Sequence, residues 1–226
     1  MITIEYSFGF DSDREDFFFT IELDDSIQAV PDPHPCTVEW ARLDYCQCEI
    51  CPFSVSEVEF CPIARNVSGL AATFADVFSI EEVHISVRVE ERIYMKTGRV
   101  TDGLRSLLGL YMATSGCPHM AILRPMARFH LPFASMEETI FRHFSCFFMR
   151  QYFEYQKTGH LDFSLERLSE RMALVDKVNR GICRRLEVFT GADANRNALT
   201  ILNSISMMLD MEMSADFDTL RPLFDY

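Results

Sequence analysis

Four cysteines lie close together in the segment CQCEICPFSVSEVEFCPIA, residues 46–64. Cys48 and Cys51 form a C-x-x-C pair, a spacing that lets two thiolates of one tight turn bind one tetrahedral ion at about 2.3 Å. Cys61 follows at the start of a predicted helix, and Cys117, in SGCPHM, can supply a fourth thiolate from a distant part of the chain. We therefore predict a four-cysteine metal site and expect zinc as the metal.

Proline follows three of these cysteines, Cys51, Cys61 and Cys117. A proline fixes the backbone after the ligand and keeps the preceding residue extended. The ligand set has two alternatives, since Cys46 can replace Cys48 and His119 can replace Cys117. In either form the site would connect the first part of the chain to the second and hold the fold together, because structural zinc contributes about 10 to 16 kcal/mol of apparent binding free energy.

A zinc ion with four thiolates carries a formal charge of −2, so cations or backbone N–H donors are expected around it. The candidate cations are Arg65, Arg124 and Arg128. Two other interpretations of the cysteines stay open. They can be reduced thiols that pack as small apolar side chains, or they can serve a redox sensor or electron-transfer protein that holds an iron–sulfur cluster or haem. The familiar iron–sulfur spacing C-x2-C-x2-C is absent, which favours zinc.

A second group of polar residues lies in LRPMARFHLPF, where Arg124, Arg128 and His130 stand among apolar residues and two prolines. Such a stretch can line a small anionic pocket, and an enzyme acting on a small anion is our third hypothesis. The favoured interpretation is structural, because arginine readily serves as a buried ion-pair partner and a buried histidine can satisfy backbone groups.

Catalytic signatures are otherwise missing. The sequence has no H-E-x-x-H, phosphate loop, G-x-S-x-G or G-x-G-x-x-G. His143 and Cys146 lie three residues apart in a predicted helix, but their surroundings are rich in phenylalanine and no orienting carboxylate is evident. The sequence therefore favours a role in interaction or regulation, with a protein partner, over catalysis.

The net charge of −13 and the pI of about 4.8 give the surface a negative field, which repels nucleic acid and anionic membranes. The N-terminus alternates apolar and polar residues and has no signal-peptide pattern, and no apolar run approaches the length of a membrane span. We therefore expect a cytoplasmic protein, in which the cysteines stay reduced.

Apolar residues alternate with polar ones in residues 2–10, 17–23 and 83–89, which predicts three strands. Helical spacing begins at Pro62 and dominates beyond Gly98, where Ser135 and Glu138 form a capping box before a phenylalanine-rich helix that we expect to be central. The predicted fold is α+β. A small antiparallel sheet with one helix, residues 1–95, precedes a helical bundle, residues 96–226, and the two form one integrated domain.

The motifs CEICP, CPIA and SGCPHMAILRPMARFHLPFAS resemble a family of bacterial cytoplasmic proteins catalogued only as a domain of unknown function. The resemblance extends from the first hairpin to the NALTIL helix, and residues 115–135 are its most specific part. It implies a bacterial protein and treats Cys48, Cys51, Cys61 and Cys117 as one set, beside which Cys46 is an extra cysteine. It implies no reaction.

Overall fold

A four-stranded antiparallel sheet forms the N-terminal part of the fold. The computed structural model describes residues 1–30, 38–162, 164–188, 193–215 and 217–225. The strands are β1 (Ile2–Phe10), β2 (Phe17–Leu23), β3 (Glu82–Val89) and β4 (Arg92–Arg99). They lie in the order β2-β1-β3-β4.

One face of the sheet is apolar because alternate residues of β1, β2 and β3 point to the same side. Ile4 pairs with Ile21 of β2 and Val89 of β3, and Phe8 pairs with Ile85. The three strands predicted from this alternation are confirmed. The fourth strand was not predicted, because β4 buries none of its residues deeply and its sequence, RIYMKTGR, has no apolar side to recognise. The boundary predicted at residue 95 falls inside β4.

The described residues also form six α-helices. They are α1 (Pro62–Thr73), α2 (Val100–Ala113), α3 (Arg124–Arg128), α4 (Met136–Thr158), α5 (Glu166–Leu186) and α6 (Ala194–Ser214), with short 3-10 helices at Glu39–Ala41, Pro118–Leu123 and Arg221–Phe224. Helix α2 contacts the sheet, α1 packs beside α2, and α6 packs on both α2 and α5. The fold is therefore α+β, with the helical part docked on the sheet as predicted.

Gly103 is the point of closest approach between α2 and the sheet. A Cβ at this position would lie 2.6 Å from Cε1 of Phe8 and 3.0 Å from Cγ2 of Ile85. Glycine therefore lets the helix axis come near the apolar face, and it fixes where the helical layer sits on the strands.

Helix α4 begins with the predicted capping box. Ser135 Oγ accepts from Glu138 N–H at 3.1 Å, and Glu138 Oε2 accepts from Ser135 N–H at 2.7 Å. The prediction that α4 is central is wrong for its second half, where Tyr152 and Phe153 are each 52% exposed. Helix α4 contacts α3 and α6, and most of its buried residues lie in its first half. The apolar residues of a helix do not specify how much of its length packs against other elements. Helix α4 extends beyond the helices that contact it.

No helix in the described part of the chain is both long enough and apolar enough to span a lipid bilayer.

Candidate metal centre

Backbone pairing closes the loop that carries the first cysteines. Leu43 N–H donates to Glu59 O at 2.8 Å, and Cys61 N–H donates to Ala41 O at 2.9 Å. The chain entering the loop is thus held antiparallel to the chain leaving it. This pairing brings Cys61, at the end of the loop, back to residues 41–43, where the loop begins.

Cys61 and Cys117 have nearly the same backbone geometry. Cys61 is the N-cap of α1 with φ −60° and ψ 122°, and Cys117 is the N-cap of the 3-10 helix Pro118–Leu123 with φ −63° and ψ 124°. In both cases proline occupies the first helical position, where its missing N–H leaves no bond unmade. The predicted helix start at Cys61 and the extended conformation before these two prolines are confirmed.

His119 connects the two cysteine-bearing segments. Its Nε2 donates to the carbonyl oxygen of Ile50 at 2.8 Å, and Ile50 lies inside the C-x-x-C turn that Cys51 N–H closes on Cys48 O at 2.9 Å. Because the carbonyl can only accept, Nε2 carries the proton, and Nδ1 alone keeps a lone pair for a metal. His119 therefore acts here as a tie that holds Cys117 near the turn.

The four cysteines predicted as ligands influence one another electrostatically. The pKa of Cys48 is raised to about 11, mainly by burial and also by the charges of Cys61, Cys51 and Cys117, while the charge of Arg185 lowers it. Burial also raises the pKa of Cys117, to which Cys61 and Cys51 contribute. Cys48 and Cys117 are therefore protonated thiols near neutral pH, and any metal bound there must displace their protons.

The spacing of the four thiols does not meet the distances of a metal site. Within the described residues, no group of three or more histidine, cysteine, aspartate or glutamate side chains has metal-site spacing. The seven cysteines that the structure describes are free thiols. Cys46 is exposed, with its backbone in the left-handed region at φ 48°, and Cys36 lies outside the described residues.

A deeply buried arginine, Arg185 near the end of α5, lies beside this cluster. It is 1% exposed, its Nη1 donates to the carbonyls of Trp40 and Arg42 at 2.7 Å, and its Nη2 donates to the carbonyl of Leu43 at 3.1 Å. Its Nε is buried without a hydrogen-bond partner, and no carboxylate of the described residues forms an ion pair with it. Its charge is the one that lowers the pKa of Cys48.

Sequence reasoning missed Arg185 and named Arg65, Arg124 and Arg128 instead. One signal was present, because Arg185 follows the buried Ile182 by three residues and so lies on the apolar face of α5. Gly181, on the same helix, also lies against the cluster. A Cβ there would lie 2.5 Å from Cys48 Sγ, so the thiol rests directly against the helix backbone.

Of the residues predicted for a small anion, Arg128 and His130 line one pocket together with Glu90 and Arg142, and Arg124 is not among its lining residues. Arg128 Nη1 pairs with Glu90 Oε2 at 3.1 Å, which leaves Arg128 engaged with a carboxylate. Arg124 has a buried Nε without a hydrogen-bond partner. His130 Nε2 shares a hydrogen bond of 2.5 Å with the hydroxyl of Tyr6, and burial lowers the pKa of His130 to about 3. The Arg128 ion pair is not the buried pair of the structural interpretation, because the side chains of Arg128 and Glu90 are 37% and 48% exposed.

His143 and Cys146 lack the properties of a nucleophile and its base. His143 Nδ1 donates to the carbonyl of Thr139 at 2.7 Å, and burial lowers the pKa of His143 to about 4. Burial raises the pKa of Cys146. An activated pair needs the opposite arrangement, a stabilised thiolate beside a basic imidazole.

Residues 4–225 match the family model described as Domain of unknown function (DUF6901). The match covers nearly the whole chain, in agreement with the resemblance found in the cysteine motifs. No curated protein shows significant similarity to the chain. No solved structure does so either.

Proposed function

Because the chain belongs to the family described as Domain of unknown function (DUF6901), a description that names no activity, we propose its function from its side chains. The protein in this proposal binds zinc. In this proposal Cys48, Cys51, Cys61 and Cys117 hold the ion, and the ion is structural. The donor set fits zinc, which favours four thiolates in closed sites.

The observation that carries the proposal is the buried charge of Arg185. A guanidinium that is 1% exposed and unpaired with any described carboxylate is costly to bury, even with three backbone carbonyls accepting from it. A zinc ion with four thiolates carries a net charge of −2, and Arg185 lies close enough to Cys48 to shift its pKa. The zinc-thiolate centre would give this cation its counter-charge.

The centre would hold together three parts of the fold. Cys48 rests on α5 at Gly181, Cys61 begins α1, and Cys117 begins the segment that follows α2. Bound zinc would supply a strong electrostatic bond among these elements, while the protein supplies the turn, the two N-cap positions and the tie through His119. A role through a protein partner, a cytoplasmic location and a bacterial origin stay predictions.

Elemental analysis of untagged protein, purified without chelator, tests the proposal directly. We expect about one zinc per chain and no visible absorption. Cys61→Ser should remove the zinc and lower the Tm by at least about 10 °C, since a loss of only about 3 kcal/mol already produces that shift in a chain of this size and structural zinc contributes more. Iron accompanied by visible absorption would favour the redox alternative instead.

Matched cysteine variants separate the ligands from other thiols. Cys48→Ser, Cys51→Ser and Cys117→Ser should behave like Cys61→Ser. Cys146→Ser, in α4, and Cys46→Ser should keep both the zinc and the Tm. Full zinc content in Cys61→Ser, or protein that contains no metal at all, would contradict a four-cysteine centre.

A further inference from the structure

A second site is suggested by a partly open cavity of about 320 Å³ lined by α2, α4, α6 and the segment around α3. Its volume is in the range of small-molecule sites, about 300 to 1,000 Å³. None of the four candidate zinc ligands lines it. Any ligand of this cavity is therefore independent of the metal.

Two arginines, Arg105 and Arg142, line this cavity. Arg142 Nη2 donates to the carbonyls of Met126 and Phe129 at 2.8 Å and 3.0 Å, and Arg105 Nη2 makes a long contact of 3.4 Å with the carbonyl of Ala134. Neither arginine forms an ion pair with a carboxylate in the part of the chain that the structure describes. Each guanidinium has five N–H groups, so both keep donors for a ligand.

The two histidines of the cavity wall, His130 and His143, add no positive charge. Burial lowers their pKa values to about 3 and about 4, so both are neutral near pH 7. Positive charge at the cavity wall therefore comes from Arg105 and Arg142. Glu138, whose charge acts on Arg142, accepts a hydrogen bond from Ser135 N–H as part of the capping box.

The rest of the wall is largely apolar. Its aliphatic side chains come from three directions and include Leu110, Leu123, Ile201, Leu202 and Ile205. Such a wall suits a hydrocarbon or aromatic body and offers little to a sugar or a polyphosphate. The net charge of −13 further disfavours ligands that carry several negative charges.

We propose that this cavity binds a small monocarboxylate with an apolar body. Arg105 and Arg142 hold the carboxylate through charge-assisted hydrogen bonds, and the body lies against the aliphatic side chains of α2 and α6. The sequence hypothesis of a small anion named Arg124, Arg128 and His130, of which only His130 lines this cavity. Arg128 lies outside this cavity and pairs with Glu90, whereas Arg105 and Arg142 come from α2 and α4.

Octanoate is a suitable probe, and calorimetric titration of the purified full chain measures its binding. We expect saturable binding of octanoate, binding of 1-octanol at least about tenfold weaker because the charge is missing, and weak binding of acetate because the body is missing. Equal binding of octanoate and 1-octanol would overturn recognition of the carboxylate. Absence of octanoate binding at millimolar concentration would overturn the proposal as a whole.

Variants assign the binding to the cavity. Arg105→Gln should weaken octanoate binding about tenfold, the effect of losing one charge-assisted hydrogen bond. Arg128→Gln is the matched control, and its affinity should stay within about twofold of the wild type. Unchanged affinity in Arg105→Gln would place the ligand elsewhere.

Arg142→Gln is a poor test, because it removes hydrogen bonds to two backbone carbonyls and can impair folding. A variant that fills the cavity provides a second test without changing an arginine. Ala113→Leu places a larger apolar side chain at the cavity wall. It should abolish octanoate binding while leaving the zinc content unchanged. Octanoate binding of wild-type strength in a folded Ala113→Leu protein would also overturn the proposal.

Discussion

At the scale of single residues, Arg185 has two roles that substitutions can separate. Its hydrogen bonds hold backbone carbonyls, and its charge acts on Cys48. Its guanidinium donates to the carbonyls of Trp40, Arg42 and Leu43, which lie just before the cysteine loop. The same group carries the positive charge beside Cys48. A lysine can keep the charge but cannot reproduce the planar fork, and a glutamine removes the charge altogether.

Both Arg185→Lys and Arg185→Gln should destabilise the protein by about 3 kcal/mol, because each leaves carbonyls without their donors. Only Arg185→Gln should also weaken zinc strongly, since it removes the counter-charge of the thiolates. Urea unfolding and zinc titration against a competing chelator measure the two effects. Arg184→Gln is the control, because Arg184 is the exposed neighbour in sequence and should change stability by less than about 0.5 kcal/mol. Equal zinc affinity in the Lys and Gln variants would contradict the role of the charge.

The cysteines could be predicted as a set, whereas Arg185 could not be singled out. Cysteine is rare, and the C-x-x-C spacing and repeated Cys-Pro pairs have few explanations. Arg185 is one of 18 arginines and follows Arg184 in a pair that resembles an ordinary basic helix end. Its burial depends on α5 meeting residues 40–43, a contact between segments more than 140 residues apart. The residues around Arg185 in the sequence do not predict a contact with so distant a segment.

At the scale of secondary-structure elements, Gly181 decides how closely α5 approaches the cysteine loop. Alanine normally stabilises a helix interior by about 1 kcal/mol relative to glycine. Here a Cβ would lie 2.5 Å from Cys48 Sγ, so the thiol would have to rotate away. Rotation of a terminal atom affects folding little, but it moves a metal ligand.

Gly181→Ala should therefore change the free energy of unfolding of the metal-free protein by less than about 1 kcal/mol and weaken zinc binding by more than about tenfold. Gly69→Ala in α1 is the control, because no atom lies within 4 Å of its added Cβ. The free energy of unfolding of Gly69→Ala should increase by up to about 1 kcal/mol, and its zinc affinity should stay unchanged. Zinc binding of wild-type strength in Gly181→Ala would show that Cys48 does not need this position.

Element prediction succeeded where periodicity coincides with burial and failed where it does not. Strands β1 and β3 alternate strictly because one face is in the core, while β4 has exposed apolar residues such as Ile93 and Met95 and was missed. In α4 the opposite error arose, because aromatic residues suggested burial along a helix whose second half is exposed. The spacing of apolar residues shows which face of a strand or helix is apolar, but it does not show whether another element packs on that face.

At the scale of the whole molecule, two buried neutral histidines link the core to pH. His130 and His143 belong to the cavity wall, which is built from four segments and was not predictable from any of them. In an unfolded chain each imidazole has its ordinary pKa of about 6.5. In the folded protein burial lowers these pKa values to about 3 and about 4, and the positive charge of Arg142 contributes in both cases.

The folded protein should therefore lose stability as the pH falls below about 6.5, because the unfolded chain then binds protons that the buried imidazoles do not. The contribution of His143 is complete above that pH and lost by about pH 4, where the folded form also takes up its proton. One such group changes the free energy of unfolding by at most about 1.4 kcal/mol per pH unit. His143→Asn should lower the Tm near pH 7 yet flatten its fall towards pH 4, and calorimetry across this range measures both.

The control is His160→Asn, because His160 is exposed, and this variant should leave the pH profile of the Tm unchanged. A profile of the same slope in His143→Asn would mean that carboxylates, rather than this histidine, set the acid limit of the fold.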